Sequence, residues 1–237
     1  ALVLQAAGTL TVNGGSASAT SGINATGNVL LKTSSSGDIA LNAALTSAGD
    51  VSLDAAGNLT QAAAGDITLS AAGKTLDVQA ASAITMADGA LSQTNNANVR
   101  YQAGTSLTLG QITAGTASVA LVATAGSVID ADTDAGNDVT AANLLITAGT
   151  AIGSSANAIE TSVATLSTLS SNGGTFLAEA SGVTVDAQSI AVNRVATDAS
   201  SSALAALTQE DLVTTGTASA LVLQAAGTLT VNGGSAS

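Results

Sequence analysis

The chain has 237 residues, 46% of them hydrophobic and only 8% charged, with sixteen carboxylates against four cations for a formal charge of −12. It has no Pro, Cys, His or Trp, and its only large rings are Tyr101 and Phe176. This excludes a charge-expanded disordered segment, a disulfide or thiolate framework, and a core built on aromatic side chains.

Residues 1 to 18, ALVLQAAGTLTVNGGSAS, recur without change as residues 220 to 237. Residues 1–219 therefore read as one long repeat unit and 220–237 as the start of the next. No apolar run approaches the roughly 18 residues of a membrane span, so no membrane insertion of this segment is expected.

Residues 27 to 79 carry a shorter period. Gly27, Gly37, Gly49, Gly57, Gly65 and Gly73 each precede a polar residue and a short alternating run. Alternation places Val29 with Leu31, Ile39 with Leu41, Val51 with Leu53, and Ile67 with Leu69 on one face of their strands. The small residues between runs predict corners, where glycine can take positive φ. Such steps are too short for crossover helices, and two or three strands make a coil of roughly 16–24 residues, the scale of a solenoid.

The expected fold is therefore all-β, a parallel β-helix (β-solenoid) of about eleven coils rising roughly 50 Å. Missing proline fits continuous ladders. Val3, Leu10 and Val12 are expected inside the coils. The pattern continues through SLTLG, SVALVA, NLLITAG, SVATLS, TFLAEA and GVTVDA. The segment SSALAALTQEDLVTTG, residues 201–216, reads as a corner insertion with one or two helical turns. A string of β-sandwiches would be expected to show linker prolines and aromatic anchors.

GDIALNA, GDVSLDAAGNLTQ and GDITLSAAGKTLDVQ resemble the filamentous haemagglutinin family, long adhesins exported by two-partner secretion. The resemblance implies a right-handed parallel β-helix, an extracellular location on the bacterial cell surface, and a structural or adhesive shaft for attachment, aggregation or biofilm matrix. The expected partners are further copies of the same repeat, with lateral self-association or a surface glycan as additions. A ligand-binding adhesin module is the alternative. The negative field opposes nucleic-acid binding.

The sharpest chemical signal is DADTDAGND, residues 130 to 138. Asp130, Asp132 and Asp134, with Asp138 four further on, have a spacing by which carboxylates can converge on calcium, although Ala135 and Ala141 stand where a helix–loop–helix calcium loop has Gly and Glu. Calcium is the one candidate cofactor, and a solvated acidic corner the competing reading. Asp38, Asp50 and Asp66 are read as turn caps. A β-helical polysaccharide-active enzyme is the remote rival; with no histidine and no catalytic cofactor or site in view, the expectation is a non-enzyme. Arg100 beside Tyr101 is read as a local surface contact.

Overall fold

The computed structural model describes residues 1–16, 20–217 and 219–234; residues 17, 18 and 235–237 of the duplicated segment fall outside this set. The described residues form a parallel β-solenoid of about eight turns, without helix. Coil one comprises β1 (Leu2–Ala6), β2 (Leu10–Val12) and β3 (Ser21–Ala25). Coil two comprises β4 (Val29–Thr33), β5 (Ile39–Leu41) and β6 (Ala44–Ser47), and coil three β7 (Val51–Ala55), β8 (Leu59–Gln61) and β9 (Ile67–Leu69). Coil four has β10 (Leu76–Ala80), β11 (Ile84–Met86) and β12 (Leu91–Thr94), and coil five β13 (Val99–Ala103), β14 (Leu107–Leu109) and β15 (Gln111–Thr113). Coil six opens with β16 (Ser118–Ala123) and β17 (Val128–Asp130).

From there the corners between third and first faces disappear. β18 (Val139–Ala148) pairs with β15 through its first residues and with β16 through its last, so one strand serves two columns. β19 (Ile159–Ser170) stacks on it in the same way. β20 (Thr175–Glu179) and β21 (Val183–Val185) lie on β19.

Strands therefore stack in three columns, headed by β1, β2 and β3. Coils advance by 20 to 27 residues in the first column, from Val99↔Val119 to Leu2↔Val29. This is somewhat wider than the alternation suggested, because corners such as 62–66 and 70–75 carry extra residues. The predicted inward pairs are all buried, from Val29 and Leu31 to Ile67 and Leu69. Leu10 and Val12 are inside as well, whereas Val3 faces outward, in register with Leu30.

Asp38, Asp50 and Asp66 do not cap their own turns. Asp38 Oδ1 accepts the backbone N–H of Asn58 at 2.6 Å, Asp50 Oδ1 that of Thr75 at 2.9 Å, and Asp66 Oδ1 that of Leu91 at 2.9 Å, each one coil further on. The caps tie neighbouring coils together. The glycines serve the same stacking: a Cβ at Gly49 would overlap the backbone of Asn28, and one at Gly65 the carbonyl of Leu41. Of the six glycines only Gly73 has positive φ, +71°.

The count falls short of the eleven coils expected because the coils are wider and because residues 186–211 leave the solenoid. The chain runs out through β22 (Gln188–Ile190) and β23 (Asn193–Val195) and returns through β24 (Ser201–Ala203) and β25 (Leu207–Gln209) as an antiparallel hairpin. It rejoins the stack at β26 (Leu212–Thr214), β27 (Leu221–Ala225) and β28 (Leu229–Val231). The expected helical turns in 201–216 are thus strands.

The hairpin is a strap lying back along the first column. Ile190 packs with Ala120 and Leu145, Val195 N–H donates to Ser52 Oγ at 2.9 Å, and Asn28 Nδ2 donates to the Ala199 carbonyl at 3.0 Å. It buries one outward row: Leu30, Ser52, Asp77, Arg100, Ala120, Leu145 and Ser167, consecutive in the ladder register.

Candidate metal centre

The run 130–138 connects β17 to β18, where the second column turns into the third. Within β17, Val128 faces inward, Ile129 is exposed, and Asp130 stands opposite Leu109 in the ladder. A carboxylate therefore occupies a position that aliphatic side chains fill on the coil below. Asp130 is only 6% exposed and Asp138 3%, so neither belongs to a solvated corner.

The loop is held by successive aspartates. Asp130 Oδ1 accepts the N–H of Asp132 at 3.0 Å, Asp132 Oδ1 that of Asp134 at 2.9 Å, and Asp134 Oδ1 that of Gly136. Asn157 Nδ2, on the coil above, donates to the Asp132 carbonyl at 2.6 Å. The outcome is convergence: one carboxylate oxygen each from Asp130, Asp132 and Asp138 lies within 4.8 Å of the others. Asp134, the fourth expected ligand, is exposed and outside that group.

Glu160 was not foreseen. Asp138 and Glu160 bond reciprocally between coils, Asp138 N–H donating to the Glu160 carbonyl and Glu160 N–H to Asp138 Oδ2, both at 2.9 Å. The signal for it is the coil period, since the ladder puts Val139 opposite Thr161.

Electrostatics follow from burial and crowding. Asp138 is pushed up to about 9, first by burial, then by the charges of Asp130 and Glu160, against the Glu160 N–H bond that favours the ionised form. Asp130 and Glu160 are raised for the same leading reason, with Asp132 adding repulsion to both. Such a group favours either shared protons or a cation supplied from outside.

The chain's four cations are engaged elsewhere. Lys32 pairs with Asp54, and Lys74 Nζ lies 3.9 Å from Asp50. Both arginines meet at Asp77 beneath the strap: Arg100 Nη2 is 2.7 Å from Oδ1 and Arg194 Nε 2.7 Å from Oδ2. Arg100 is thus buried facing outward, and Tyr101 faces inward, its hydroxyl 2.6 Å from Ser92 Oγ and 3.2 Å from Gln61 Oε1. The expected surface contact between the two is replaced by two separate buried networks. Burial of the phenol raises its ionisation well above the ordinary tyrosine range.

No family model, curated protein or solved structure matches this chain.

Proposed function

We propose that the chain is one long repeat, and the start of the next, from the shaft of a filamentous-haemagglutinin-like protein on a bacterial surface, serving attachment or matrix building. One observation carries this reading: the duplicated segment stacks at both ends. At the start β4 pairs in parallel above β1 and β5 above β2, while at the other end β27 and β28, of the same sequence, pair in parallel on β20 and β21. A segment that accepts a coil above and rests on a coil below supports uninterrupted ladders. In a solenoid each coil touches only its neighbours, so reach grows with repeat number.

The copies do not occupy equivalent columns. β1 heads the first column, whereas β27 lies on β20, which pairs with the third-column part of β19; β2 heads the second, and β28 continues the first through β21. Both strands shift by one column in the same sense, so a repeat spans roughly eight and two-thirds coils and rises about 42 Å at ~4.8 Å per coil. Consecutive repeats then present their straps on successive faces.

Cryo-electron microscopy of the native surface tests this. The expected image is thin fibres with an axial repeat near 42 Å and strap density stepping round by a third of a turn. Globular particles, or straps in line, would refute it. Saturable binding of the 237-residue chain on a glycan array would favour the ligand-binding module instead.

A further inference from the structure

The corner at residues 130–138 contains a buried carboxylate oxygen that its own donors leave unsatisfied. Asp130 is more than nine-tenths buried, and its Oδ2, in an inward position of the ladder, has no hydrogen-bond partner. It belongs to the group in which carboxylates of Asp130, Asp132 and Asp138 approach within 4.8 Å. On the next coil Glu160 Oε2 is a second buried acceptor with no donor. Backbone N–H groups donate to Asp130 Oδ1 and Asp138 Oδ2.

We propose that this corner is a divalent-cation site of the calcium class, formed by Asp130, Asp132 and Asp138 and closed by Glu160 from the following coil. Its donors are hard oxygens. Calcium takes six to eight of them at variable angles, mixing carboxylates and carbonyls, whereas magnesium demands a near-octahedral shell and retains its water. The ion supplies positive charge that no side chain of this chain brings to the corner. It fastens the 131–137 excursion of coil six to coil seven. The proposal is independent of the chain's place in a filament.

The test is isothermal titration of the chelator-treated 237-residue chain with calcium chloride near neutral pH, with thermal unfolding in calcium and in chelator alongside. About one ion per chain is expected, with a higher midpoint in calcium. Asp132→Asn, on the half-exposed part of the loop, should weaken binding by on the order of tenfold or more, because ligand charge sets affinity. Asp134→Asn should bind as the parent does. Asp138→Asn should abolish binding and raise the midpoint of the ion-free chain, since a neutral amide relieves the crowding.

Absence of saturable binding up to about 10 mM calcium with an unchanged midpoint would overturn the site. So would parent-like binding by Asp132→Asn. Equal affinity for magnesium would overturn the calcium assignment.

Discussion

The first and second columns of the solenoid share an inward aliphatic row and differ in what lies outside them. Both alternate an inward aliphatic row with an outward row. The second column leaves its outward residues toward solvent: Thr11, Thr60, Thr85 and Ile129 are exposed, Ala40 and Thr108 half-buried. The first column has its outward row sealed by the strap, and that row contains Leu30, Asp77, Arg100 and Leu145. Parallel pairing sets position along the shaft, whereas covering a face turns ordinary surface positions into a second, thinner core. The small polar residues of the open column tolerate water, while the covered row must match the strap residue by residue.

The largest expected effect is at Asp77. Asp77→Ala leaves Arg100 buried without its partner and should cost about 3–5 kcal/mol in denaturant unfolding. Asp54→Ala, which removes the partly exposed Lys32 pair on the same column, should cost under about 1 kcal/mol. Equal losses would mean that the strap does not exclude water from the Asp77 cluster. Next comes packing: Leu145→Ala, under Ile190, should cost roughly 2–3 kcal/mol. Ile129→Ala on the open column should stay within about 0.5 kcal/mol, and matching values would show the strap to be loosely docked.

A smaller and more gradual effect concerns the acidic corner, which sharpens the comparison because it is the place where the second column buries charge. Burial and the neighbouring carboxylates push Asp138 up to about 9 in the folded chain, far above the ordinary carboxylate range, and Asp130 and Glu160 are raised in the same direction. A carboxyl raised on folding contributes stability below its unfolded value and loses it as pH climbs through the folded value. In chelator, the thermal midpoint should therefore fall steadily from about pH 4 to about pH 9. Asp138→Asn should flatten that decline, and an unaltered slope in the variant would place its origin elsewhere. The smallest expected change is Thr85→Ala, within about 0.5 kcal/mol.

Much of the fold could be read directly from the residues. The alternation at Val29 and Leu31 or Ile39 and Leu41 placed inward side chains correctly because period two has only one reading in a half-buried strand. Glycine's role was misjudged at Gly49, where the constraint is the backbone of the coil below, a neighbour more than twenty residues away. Val3 was misplaced for a related reason: LVLQ offers three aliphatic residues in a row, and only the register with Leu30 selects which faces out. In the acidic corner, Asp130, Asp132 and Asp138 were legible as a spaced set. Asp134 was included because spacing along a loop does not reveal its direction, and Glu160 was missed because its proximity arises from stacking.

By itself the sequence determined the all-β alternation, the aliphatic interior and the duplicated ends, because these depend on local period and composition. Tertiary structure alone decided that residues 186–211 fold back as a strap, that Asp77 joins two distant arginines, and that Asp130 turns inward beside Asp138 and Glu160. The physical reason is that in a solenoid side-chain direction follows local alternation, whereas the environment a side chain enters is set by the coils above and below and by whatever chain crosses the outside.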